Sequence, residues 1–140
     1  MTVVTYVCAD HAYVASPPTV TGNVVPRPWV EVSVSYAGSP RHRVLCLVDT
    51  GADDTILDRG TASALGIIPA RLTQLPVTLG SGRTVNYGFQ PNVDLFFLGS
   101  TVSVVVLFGP VHLPLLGRSA LFGSGAGLEI GFDDARWQHT

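Results

Sequence analysis

Hydrophobic and polar positions along the chain fall into short runs separated by turn residues. Trp29-Val30-Glu31-Val32-Ser33-Val34 alternates apolar and polar side chains, the period-two pattern of a half-buried strand. Ala37-Gly38-Ser39-Pro40 then reads as a turn. Val44-Leu45-Cys46-Leu47-Val48 is an unbroken apolar run, which suits a strand buried on both faces that hands its last residues to the loop at Asp49-Thr50-Gly51. Further strands are predicted over residues 93–98, 102–108 and 128–132. Val77-Thr78-Leu79 and Arg83-Thr84-Val85-Asn86-Tyr87 flank Gly80-Ser81-Gly82, which predicts a hairpin with a glycine-rich tip. One short helix is expected: Thr61 caps it, Ala62-Ser63-Ala64-Leu65 forms the turn and Gly66 ends it. Residues 1–25 read as an arm with one strand and a turn-rich hinge at Ser16-Pro17-Pro18 and Thr21-Gly22-Asn23. The sum is a small closed or sandwiched β domain.

Residues 95–117 contain no Asp, Glu, Lys or Arg, a length sufficient to cross a bilayer. Gly99, Gly109, Pro110 and Pro114 cut the stretch into β-branched pieces, so it reads as buried strands with no membrane role. Composition agrees with many strands and turns: the 140 residues include 15 Gly, 10 Pro and 20 Val. Only 13% of residues are charged, about half the usual share, against 46% hydrophobic. Such a surface points to a large contact with another copy of the chain. All eight basic residues are Arg, and a net charge of −2 argues against a nucleic-acid partner. Arg41-His42-Arg43 reads as one solvated loop. Cys8 and Cys46 make no disulfide framework, and the Cys8/His11 spacing lacks a second pair, so no metal site is expected. No secretory signal pattern opens the chain, which points to the cytoplasm or to a piece of a longer polyprotein.

Asp49-Thr50-Gly51 alone is weak, because Asp and Gly are favoured wherever a strand ends in an Asx turn. Its surroundings are more informative. Leu47-Val48-Asp49-Thr50-Gly51-Ala52-Asp53-Asp54-Thr55-Ile56-Leu57 closely resembles the active-site signature of the retroviral-type aspartic proteases, the retropepsins. Val106-Leu107-Phe108-Gly109-Pro110, continuing to Leu115-Leu116-Gly117-Arg118, is similar to the family's second half, and Arg27-Pro28-Trp29-Val30 to its opening strand. The three segments stand in the family's order.

The resemblance implies an all-β, closed barrel-like acid-protease fold with one short helix, active as a homodimer and needing no cofactor. It implies an arm or pro-segment over residues 1–26 and a protease domain over 27–140. Asp49 becomes the catalytic carboxylate. Because the chain holds one Asp-Thr-Gly, and Asp94, Asp133 and Asp134 lack a following Thr/Ser-Gly, the second carboxylate must come from a second copy. Thr50 would bond across the dimer axis, Gly51 would let the backbone approach a peptide, and Ala52 completes the loop. Asp53 would pair with Arg118 in its own chain and with Arg27 of the partner copy. Gly80, Ser81 and Gly82 become the tip of a flap over the substrate. Asp54, Ile56, Val111, Leu113 and Leu115 become substrate-contacting residues, although each apolar one is equally plain as core. Pepsin-like relatives often carry a hydroxyl where Ala52 stands, so a weakly acidic rate optimum is expected.

Four features depart from the family: the residues before Arg27, a long loop over 37–43, the helix near Thr61 and a glycine-rich tail after Leu121. The tail puts in question the terminal sheet through which viral dimers are held. The rival reading is a catalytically silent dimeric module that binds peptides on the same fold.

Overall fold

The structure, a computed structural model, describes residues 4–7, 9–12, 24–78, 81–111, 113–123, 130–132 and 136–139. In chain order the elements are β1 (Val4–Val7), β2 (Ala9–Ala12), β3 (Val24–Arg27), β4 (Trp29–Tyr36), β5 (His42–Val48), β6 (Thr55–Leu57) and α1 (Arg59–Ala64). A single 3-10 turn (Pro69–Arg71) leads to β7 (Thr73–Thr78), β8 (Thr84–Phe97), β9 (Ser100–Phe108) and β10 (Leu115–Leu116). Then come α2 (Arg118–Gly123), β11 (Ile130–Phe132) and β12 (Arg136–His139).

Seven strands form one sheet in the order β4-β5-β10-β6-β9-β8-β7. β4 also pairs with β8, Ser33 opposite Phe96 through Tyr36 opposite Val93, so six of the strands close into a ring and β7 stays outside it. The alternation of β4 carries the closure. Val30, Val32 and Val34 turn inward and are buried, while Glu31 is exposed. They meet Cys46 and Val48 of β5, Leu57 of β6, Val93, Leu95 and Phe97 of β8, and Val106 and Phe108 of β9. This is the all-β, barrel-like architecture expected from the sequence.

Two differences concern helices. α1 begins at Arg59, and its cap is Asp58, whose Oδ1 accepts the Thr61 backbone N–H at 2.6 Å. Thr61 is therefore inside the helix and buried. Asp58 outcompetes it because a carboxylate in extended backbone geometry reaches an orphan N–H more strongly than a hydroxyl, a cap worth about 1 kcal/mol. The second helix, α2, was not expected. It forms because Ala120 and Leu121 are drawn into the core beside β9, a tertiary demand without a capping signal in the sequence.

Other differences concern strands. Residues 84–97 form one strand where a hairpin arm and a separate strand were expected. Pro91 suggests a break, but a register shift between Gln90 and Val93 places it at a bulge, where no ladder N–H is needed. Asn92 takes φ +59° there. The expected strand at 102–108 begins earlier, at Ser100, and that at 128–132 is described from Ile130. Three strands occupy the expected arm: β2 pairs with β3, and β1 pairs antiparallel with β12, which also holds β11. His42 and Arg43 lie in β5, and the Arg41 guanidinium lies 3.8 Å from the Phe96 ring centre, so the basic triplet is mostly strand. Among the described residues no helix is long and apolar enough to cross a membrane. Residues 95–117 are instead largely strand.

Cys46 lies in the middle of the core, and burial pushes its thiol up to about 12. A raised value in the folded state favours the protonated form. Its stabilising contribution is thus full below the ordinary thiol range and is lost as pH rises towards 12. Stability should fall between pH 9 and 11 by about 1.4 kcal/mol per pH unit from this group. Urea melts of the wild type and Cys46→Ala check it, since the variant should lose that part of the slope.

Candidate active site

The loop that carries Asp49 is built by three segments far apart in sequence. β5 carries Asp49 at its C-terminal end. Val44, Cys46, Leu47 and Val48 are buried, but Leu45 is 56% exposed. The strand expected to be buried on both faces is therefore open to solvent on its outer face until Leu47, since a closed ring buries only the inward face. β10 lies parallel to β5, Leu115 opposite Leu47, and antiparallel to β6, Leu115 opposite Ile56. The two residues of β10 are thereby wedged between the strands on either side of the loop. Asp49 N–H donates to the Leu116 carbonyl at 3.0 Å, and Leu47 N–H to that of Pro114 at 2.8 Å. Pro28 accepts the Val48 N–H at 2.9 Å, so the segment opening β4 braces the same strand end.

Inside the loop, Asp49 Oδ1 accepts the Gly51 N–H at 2.9 Å, and the Ala52 N–H donates to the Asp49 carbonyl at 3.3 Å. One carboxylate oxygen is thus held by the loop's own backbone. Asp49 is half-buried, and Thr50 and Gly51 are exposed. A Cβ on Gly51 would stand 3.2 Å from Asp49 Oδ1, crowding that oxygen.

The far side of the loop is clamped by the Gly117-Arg118 pair. Gly117 N–H donates to Thr55 Oγ1 at 3.2 Å, a buried bond. The N–H groups of Arg118 and Ser119 donate to the carbonyls of Ala52 and Asp53, each at 2.9 Å. Gly117 is pressed against the Asp54 and Ala52 carbonyls so closely that a Cβ would collide with the Asp54 peptide. The Arg118 guanidinium bonds the Asp53 carboxylate, whose side chain is 79% exposed. In so open a setting the pair contributes less than about 1 kcal/mol within one chain.

Of the residues named from the sequence, the structure brings Asp49, Thr50, Gly51, Ala52, Asp53, Asp54 and Arg118 into this one loop cluster. Ile56 and Leu115 share a ladder beside it. Val111 and Leu113 lie on the segment running into β10. All four apolar side chains are half-buried and stand outside the core cluster. Ser81 and Gly82 are exposed at the end of the β7–β8 hairpin, with Gly82 at φ +82°. β7 pairs with β8 alone, and β8 joins β9 only from Gly88, so the outer part of this hairpin extends beyond the ring. Arg27 ends β3. Gly80 and Cys8 lie outside the described residues.

Two residues that hold the site had no assigned role in the sequence reading. Thr55 accepts the Gly117 N–H, and Gly117 itself is required by the close approach of two peptides. Both stood within quoted motifs, but a motif does not say which member touches which.

Residues 30–120 match the family model described as aspartyl protease, and the matched span includes the whole loop cluster and its clamp. No curated protein matches the chain. A match over more than half the chain, carried on this fold, shows that the chain belongs to an aspartyl protease family of the retropepsin-like kind.

Proposed function

We propose that the chain is an aspartic endopeptidase whose active unit is a homodimer, with Asp49 of each copy facing the other across a two-fold axis. The observation that carries this reading is the single Asp-Thr-Gly loop, folded and clamped yet open to solvent at Thr50, Gly51 and Asp53. One carboxylate is half of what the chemistry needs. Two carboxylates at close range cannot both ionise near neutrality, so the pair shares a proton and holds a water. The charged member takes a proton from that water as its oxygen attacks the peptide carbonyl carbon. The protonated member gives a hydrogen bond, then its proton, to the carbonyl oxygen. Collapse of the tetrahedral diol returns a proton to the pair, transfers one to the departing amine and breaks the C–N bond.

In this dimer Asp53, Arg118 and the partner copy's Arg27 form a shielded network, which would raise the small single-chain worth of the Asp53–Arg118 contact. Ile56, Val111, Leu113 and Leu115 form apolar subsite walls, with Asp54 at their edge, and favour peptides with hydrophobic residues beside the cut. The β7–β8 hairpin, tipped by Gly80-Ser81-Gly82, covers the bound peptide. Residues 1–26 form an arm on a protease domain spanning 27–140.

The purified chain is assayed against a peptide library from pH 2 to 9, with sedimentation in parallel. A rate maximum between roughly pH 4.5 and 6.5 is expected, as for a carboxylate pair without a neighbouring hydroxyl at Ala52. A maximum near pH 2 or above pH 8 counts against the reading. A stable dimer that binds peptides and cuts none selects the silent module.

A further inference from the structure

Tyr87 lies on the second strand of the hairpin, opposite Leu75. It is buried, yet it does not belong to the core cluster. Its hydroxyl donates to the Pro110 carbonyl at 3.1 Å, and its ring covers Gly109 so tightly that a Cβ there would collide with ring carbons. Beside it, Gly88 is closed off by Leu72, whose Cβ would stand 2.8 Å from any Cβ on that glycine. The foot of the hairpin is therefore gripped from both sides, while β7 and residues 81–84 beyond it are largely exposed. Pro110 opens the segment that continues through Val111 and Leu113 to β10.

We propose that Tyr87 is a positioning residue that couples closure of the hairpin to the substrate wall running from Pro110 to Leu115. The proposal rests on the protease reading above. With the hydroxyl in place, cover and wall move as one body. A peptide that fills the wall then also draws the hairpin shut. Without the hydroxyl, the ring still sits on Gly109 and water takes the carbonyl of Pro110, an exposed residue whose bond to Tyr87 is only partly buried, so folding is barely affected. What is lost is the bias towards the closed hairpin, which one hydrogen bond sets at about fivefold.

The test compares the wild type with Tyr87→Phe in two readouts. Peptide cleavage should show KM raised about fivefold with kcat within about twofold, because the bound state is still reached but less often. Independently, a nitroxide is attached at Thr84→Cys in a Cys8→Ser background, where the buried Cys46 stays unlabelled. Its mobile fraction should rise about fivefold in Tyr87→Phe. Unchanged KM and label mobility overturn the proposal. A lower kcat at constant KM also overturns it, because it reports lost folded enzyme. Should the wild type cleave no peptide, the protease reading falls, and the label alone decides whether Tyr87 restrains the hairpin.

Discussion

Asn in place of Asp49 should lower kcat by about a thousandfold or more while leaving the fold intact. The geometry makes this a clean substitution. Asn keeps the side-chain oxygen that accepts the Gly51 N–H at 2.9 Å, so the loop retains its turn. It removes only the capacity to take and return a proton. Circular dichroism and a urea melt should match the wild type, and cleavage that survives would sink the assignment of Asp49. The same variant measures the need for two copies. Mixed in equal amounts with wild type under freely exchanging conditions, it should reduce activity per wild-type chain to about half, because half of those chains then sit in a mixed pair. A monomeric enzyme would be indifferent to the mixing.

Gly117→Ala should be the most damaging change outside the carboxylate. A methyl there meets the Asp54 carbonyl group and lies 3.0 Å from the Ala52 carbonyl, all of it backbone. Nothing flexible is available to give way. Relief requires the Asp loop to move from the β10 wedge, which breaks the Gly117–Thr55 and Arg118–Ala52 hydrogen bonds. The expected cost is about 3 kcal/mol or more, with activity lost in whatever remains folded. Gly38→Ala is the control: its φ of +76° strains a side chain but open space surrounds it, so about 1 kcal/mol is expected and activity should persist. Equal effects from the two would mean that the clamp is not what Gly117 provides.

Much of this was legible from the chain. The alternation of Trp29 to Val34 and the apolar run ending at Asp49 locate two strands, but the run does not mean burial on both faces: Leu45 is exposed, because the closed ring buries only its inward face there. The loop cluster was legible for another reason: residues 49–54 are contiguous, and Gly117-Arg118 is distinctive beside an apolar run. What could not be read were relations set by three-dimensional crowding. β10 is two residues long, too short for any periodicity, and only its neighbours make it a strand. The Tyr87 hydroxyl and the Pro110 carbonyl are 23 residues apart, and neither residue type signals the other. The joining of residues 84–97 across Pro91 was missed because a bulge cancels the usual meaning of proline in a strand.

The wedge of β10 also governs when the Asp49 loop comes into being. Its contacts reach back across 62 residues from Gly117 to Thr55 and across 65 from Arg118 to Asp53. Pairings of that range form late, after the entropy of closing a long loop has been overcome, and they slow the folding of β-rich chains to milliseconds or longer. During synthesis the carboxylate emerges well before the residues that shape its loop. The Asp49 loop is thus unfinished until residues 115–118 have been made and placed beside β5 and β6, so a nascent or truncated copy carries Asp49 without a finished loop to hold it.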